Sequence, residues 1–151
     1  MSVQTAGNNG TTVRSNRVGR AVGAGAASAA AASVASLIVW RLARATGADL
    51  VAQGPGQPAI EIGPFLVLIA IIAPALLGTL VLMLVRGWAP RAWQWVATAG
   101  LVLGVVTAPA PWTVEAEAGT RVALASMHVI TGVAWLVLVR RATRQATAGG
   151  R

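Results

Sequence analysis

Four long apolar runs, none containing an acidic residue, constrain this chain more than any other feature. They occupy residues 21–40 (AVGAGAASAAAASVASLIVW), 64–85 (PFLVLIAIIAPALLGTLVLMLV), 92–108 (AWQWVATAGLVLGVVTA) and 121–139 (RVALASMHVITGVAWLVLV). About 20 apolar residues of α-helix cross the hydrocarbon core of a bilayer, and inside it every backbone N–H and C=O must be satisfied within the segment. The pattern therefore predicts an all-α membrane protein, with four transmembrane helices in an antiparallel bundle. Composition agrees: 56% of residues are hydrophobic and 11% are charged, where a soluble domain carries roughly a quarter charged. The expected organisation is a disordered tail over 1–20, a transmembrane domain over 21–141 and a second disordered tail over 142–151.

The first run is the mildest, being rich in Ala, Gly and Ser, and it follows Arg14, Arg17 and Arg20. This order resembles a secretory signal, and Ala43-Arg44-Ala45 offers a small-x-small cleavage pattern. The run is longer than the roughly 7–15 residue apolar region of such signals, and Arg41 follows it directly. Retention as the first span is the preferred reading, with cleavage the alternative.

Arginine placement predicts orientation, because cytoplasmic flanks of membrane helices collect basic residues. The N-terminal tail, the turn after the second run and the C-terminal end carry nine Arg and no acid. The other side carries Arg41, Arg44 and Arg121 against Asp49, Glu61, Glu115 and Glu117. Both termini are expected in the cytoplasm, in a multi-pass protein of the cell membrane. The cytoplasmic Arg residues would attract anionic lipid. Nucleic acid is not an expected partner, since the Arg residues bracket apolar runs and form no basic stripe.

Tryptophan supports the same boundaries, because its ring settles at membrane–water interfaces. Trp40, Trp88, Trp93, Trp95 and Trp112 fall at the ends of runs, and Trp135 lies about a turn inside Arg140. GWAP (87–90) reads as a tight turn that makes the second and third helices neighbours. The longest connection, residues 45–63, has a brief alternation at AIEI that is compatible with a short strand. Close helix approach is expected at small residues such as Gly23 with Ala27, Gly25 with Ala29, and Gly100-x-x-x-Gly104, either within the chain or in a homo-oligomer.

His128 is the only histidine, and at 1.5 Å per residue it lies within about 3 Å of the centre of its run. An ionisable residue at that depth is a functional candidate that needs a partner. No acid lies in any run, so a proton relay lacks a second group. Metal binding lacks ligands, because there is no Cys and every carboxylate is in a connection. The candidate intramembrane polar site is therefore His128 with Thr131 and Pro74. Pro74 interrupts the second helix and frees the Ala70 carbonyl, to which His128 would donate, with Ser33 and Thr79 as other acceptors. A second candidate is an outer ion-pair cluster of Arg41, Arg44, Asp49, Glu61 and Arg121. Glu115 and Glu117 read as solvated loop charges. No catalytic residue, metal site or cofactor is expected: there is no nucleophile with a neighbouring base, no HExxH and no Lys for a phosphate-binding loop.

The order of features also resembles a known family. An Arg-rich start leads into an Ala-rich run and RLARATGADL (41–50), followed by the Pro-broken run, GWAPRAW (87–93), TAPAPW (107–112) and ALASMHVITG (123–132). This is similar to domain-of-unknown-function family 6069, small four-helix membrane proteins of high-GC Gram-positive bacteria. The likeness covers about residues 20–141, and GADL (47–50) and the Met127-His128 pair carry it most sharply. The resemblance implies a four-helix membrane unit and no activity, cofactor or catalytic residue. The function expected is that of a non-enzymatic integral membrane protein acting by helix packing or through a partner. The alternative is a small transporter, or a lipid- or small-molecule-binding unit with a pocket near His128.

Overall fold

A computed structural model describes residues 9–85 and 90–148. Its element order is α1 (Asn9–Ala45), β1 (Val51–Gln53), β2 (Ile60–Glu61), α2 (Pro64–Leu84), α3 (Pro90–Thr107), a short 3-10 turn (Ala110–Thr113), β3 (Glu115–Ala116) and α4 (Ala118–Ala148). Four of these helices are long and apolar enough to cross a membrane. The four expected runs fall within them except at two ends, where Val85 and Ala108 lie one residue beyond α2 and α3.

Two helices extend beyond the expected bounds. α1 starts at Asn9 and α4 continues to Ala148, so residues 9–20 and 142–148, assigned above to disordered tails, are helical. Both extensions continue a helical run with no Pro to stop it, and a switch to polar composition changes which face meets water without breaking the helix. Residues 86–89, which hold most of the GWAP turn and Trp88, lie outside the described residues.

α4 packs along both α1 and α3, α1 also packs along α2, and α2 touches α3 only slightly. The second and third helices are thus poor neighbours. Small residues make the close packing. On α1 the buried positions Ala24, Ser28, Ala32 and Ser36 recur every four residues, one stripe on a helix face. Gly25 lies against the Thr79 side chain of α2, where a Cβ has no room. Gly23, also considered above, has open space beside it. On α3 and α4, a Cβ on Gly104 would meet the His128 carbonyl at 2.6 Å and one on Gly132 the Gly100 carbonyl at 3.2 Å. The Gly100-x-x-x-Gly104 spacing therefore serves contact within the chain.

Two buried clusters result. One joins Ala21, Ala24, Leu82, Trp93, Ala97, Trp135 and Val139 near the chain ends; the other joins Ala32, Ala48, Leu50, Ile62, Val67, Ile71 and Met127 near the long connection. Trp135 is core: its ring rests on Gly78 of α2 and Gly100 of α3, and its Nε1–H donates to the Val96 carbonyl at 3.2 Å. Trp93 is buried as well, while Trp95 and Trp112 are exposed. Trp40 donates to the Ile62 carbonyl at 2.7 Å, tying the end of α1 to the start of α2.

Candidate functional site

The long connection and the segment before α4 form one cap. β1 pairs antiparallel with β2 (Val51 with Glu61, Ala52 with Ile60) and with β3 (Ala52 with Ala116, Gln53 with Glu115), in the order β2-β1-β3. The strand expected around AIEI is β2. The Gly54–Gln57 turn closes with a Gln57 N–H to Gly54 carbonyl bond of 3.0 Å, and Gly56 at φ +70° after Pro55 suits a type II turn.

The GADL segment builds the centre of the cap. Gly47 at φ +94° ends α1; its N–H donates to the Arg44 carbonyl at 3.2 Å, and the Ala48 N–H donates to the Ala43 carbonyl at 3.0 Å. That is the paired bonding of a Schellman cap, which needs the left-handed backbone that glycine supplies. Ala48 then packs where Gly119 leaves room, since a Cβ on Gly119 would stand 3.2 Å from the Ala48 Cβ. Leu50 also has positive φ, at +53°, and is fully buried. Two bonds hold this strained backbone: its N–H donates to Thr120 Oγ1 at 3.1 Å, and its carbonyl accepts the Ile62 N–H at 2.7 Å.

Asp49 joins the cap to α4. Its Oδ1 accepts the Thr120 hydroxyl at 2.9 Å and the Val51 N–H at 3.1 Å, while its own N–H donates to Glu117 Oε2 at 3.1 Å. The Val51 amide, and after it the Thr120 hydroxyl, hold the Asp49 carboxyl below its ordinary pKa by stabilising the charged form.

Of the five residues expected as an outer ion-pair cluster, Arg44 and Glu61 form an ion pair of 2.9 Å, and Arg44 Nη1 also reaches the Asp49 carbonyl at 3.4 Å. The Asp49 carboxylate is bound by an amide and a hydroxyl, with no Arg. Arg121 Nη2 donates to the Val114 carbonyl at 3.3 Å, and Arg121 makes no ion pair among the described residues. Arg41 is exposed and outside the network. Glu117, read above as a solvated charge, instead accepts the Asp49 N–H that ties the cap to α4. Thr120 was missed, because a single Thr at a helix start carries no sign in the sequence of a partner 71 residues away.

The intramembrane candidates are not brought together. His128 is half-buried, and its Nδ1 lies 2.8 Å from the Leu124 carbonyl of its own helix. A carbonyl only accepts, so this bond places the proton on Nδ1. Ala70 and Pro74 are both exposed on α2, whose buried face is Val67, Ile71, Ala75 and Leu82. The expected His128 to Ala70 bond is absent because α2 rotates Pro74 away from the packed face. Thr131 donates to the Met127 carbonyl at 2.8 Å and Thr79 to the Ala75 carbonyl at 2.7 Å. These hydroxyls are satisfied one turn back in their own helices. Among the described residues no group of three His, Cys, Asp or Glu could hold a metal ion.

A shallow groove of about 390 Å³ runs along another face of α4, lined by Trp112, Val122, Ala125, Ser126, Val129 and Ile130. His128 does not line it.

These features define a chain of four long apolar helices with a polar cap and a groove on one helix. The chain belongs to the family of unknown function DUF6069, which it matches over residues 16–145. No curated protein and no solved structure matches it.

Proposed function

We propose that the chain is a non-enzymatic multi-pass protein of a bacterial inner membrane, an antiparallel four-helix bundle with both termini in the cytoplasm, which acts through contacts of its outer helix faces. The carrying observation is the apolar exposure of α2 and α3. Phe65, Leu76, Leu77 and Leu84 on α2, with Trp95, Leu103 and Val106 on α3, are all more than half exposed. Such a surface is costly in water and natural in lipid. Helix-borne hydroxyls are largely bonded within their own helices, so the lipid-facing surface presents few unmet polar groups. Nine Arg on the terminal side, against a nearly balanced cap side, support the orientation.

Trp135 supports a packing role over a transport role, since its ring fills the space between Gly78 and Gly100 and its N–H is bonded there. The faces of α2 and α3 then remain for lipid, a second copy or a membrane partner. Single cysteines at Gly54 and near each terminus, probed with a membrane-impermeant thiol reagent in intact cells, test this reading. Labelling at Gly54 alone is expected. Labelling at either terminus overturns the orientation, and release of the protein by alkaline carbonate overturns the membrane assignment.

A further inference from the structure

We propose that the groove beside Trp112 binds one anionic phospholipid, with its phosphate on Arg121 and an acyl chain along Val122, Ser126 and Val129. This rests on the reading above that α4 crosses the membrane with its first turn at the cap side. The lining is apolar apart from Ser126, whose hydroxyl is already committed to the Val122 carbonyl at 2.8 Å. Arg121 is next to this lining in the chain, one residue before Val122, and its Nη2 donates to the Val114 carbonyl, two residues beyond Trp112.

The guanidinium has an unmet requirement. Its Nε is buried with no hydrogen-bond partner. Three of the four acids are engaged elsewhere: Glu61 pairs with Arg44, Glu117 accepts the Asp49 amide, and Asp49 accepts from Thr120 and Val51; Glu115, beside Val114, forms no ion pair among the described residues. The charge also sits in the first turn of a long helix, where the helix dipole disfavours a cation. An anion beside the guanidinium offsets its charge at that end of the helix.

Length fits the rest of the ligand. From Arg121 to Ile130 the helix rises about 14 Å, close to half of a hydrocarbon core about 30 Å thick. A head at Arg121 and a chain ending near Ile130 thus span one leaflet. A neutral lipid would answer the groove without the charge, and free phosphate the charge without the groove. An anionic phospholipid answers both.

The test uses the full chain in nanodiscs of phosphatidylcholine with increasing phosphatidylglycerol, read by native mass spectrometry and thermal unfolding. To silence lipid binding at the opposite end, it is run in an Arg140→Gln, Arg141→Gln background. Phosphatidylglycerol is expected to be retained and to raise the unfolding midpoint. Arg121→Gln is expected to weaken that response about fivefold, the size of one Arg–anionic lipid interaction. Val129→Trp, which fills the groove and keeps the charge, is expected to weaken it similarly. Equal responses in all three chains overturn the site. Stabilisation by inorganic phosphate equal to that by phosphatidylglycerol overturns the lipid, and a dimer mass lost on Val129→Trp assigns the groove to a second copy instead. A chain that does not enter nanodiscs overturns the membrane reading itself.

Discussion

The Asp49 carboxylate accepts the Thr120 hydroxyl at 2.9 Å, across 71 residues of chain, while the oxygen of that hydroxyl accepts the Leu50 amide at 3.1 Å. One threonine thus holds both a carboxylate and a strained, buried backbone, and fastens the end of α1 to the start of α4.

Replacing Thr120 with Val keeps the shape and leaves the buried Leu50 N–H without an acceptor. The expected cost is about 1–3 kcal/mol, read as a lower unfolding midpoint in detergent. Thr120→Ser is expected to stay near the parent. Equal losses for both variants would show that the hydroxyl does not carry the clamp.

The clamp also predicts a dependence on pH. The Asp49 carboxyl lies below its ordinary value of 3.8 in the folded chain, so the unfolded chain takes up this proton first as pH falls. Its stabilising contribution is complete above about pH 4 and is lost as pH drops through the lower folded value. The difference in unfolding midpoint between the parent and Asp49→Asn is expected to be constant in the neutral range and to close in acid. A difference that widens in acid contradicts the assignment.

Trp135 and Gly100 form a second coupled pair. Trp135→Ala removes the ring that fills the space beside Gly78 and is expected to cost about 3–5 kcal/mol. Trp135→Phe loses mainly the bond to Val96, about 1 kcal/mol. Gly100→Ala puts a methyl group into the indole and is expected to cost about 1–3 kcal/mol. In the Trp135→Ala background that penalty should largely vanish, because the clash has gone.

His128 and Pro74 should behave independently. His128 is bonded within its own helix, so His128→Leu is expected to cost no more than about 1 kcal/mol. Combined with Pro74→Ala, the effects should add to within about 0.5 kcal/mol. A larger coupling energy would restore the bridge between α2 and α4 that the geometry lacks.

The residues sort by how far their interactions reach. Gly47 was legible as part of a sharp motif, and its role is local: a left-handed cap closed on Arg44 and Ala43, three and four positions before it. Gly100 and Gly104 were legible because small residues four apart on a helix permit close approach. The Ala-rich first helix was not, since small residues fill every register there and only packing selected Ala24, Ser28, Ala32 and Ser36. His128 is bonded one turn back in its own helix, where the Ala70 carbonyl was expected as its acceptor. Helical spacing orients a side chain on its own helix and leaves the rotation of its neighbour undetermined.

By itself the sequence determined the four apolar spans and the charge asymmetry, because each follows from local composition and from the length a bilayer requires, and its motif order pointed to the family. Only the tertiary structure decided that Asp49 meets Thr120 and Glu117, that β1 joins strands from two connections, that Trp135 lies between α2 and α3, and that Arg121 forms no ion pair among the described residues. Those are contacts between residues far apart in the chain. Their energies depend on how the helices rotate and pack, which no repeat along the sequence encodes.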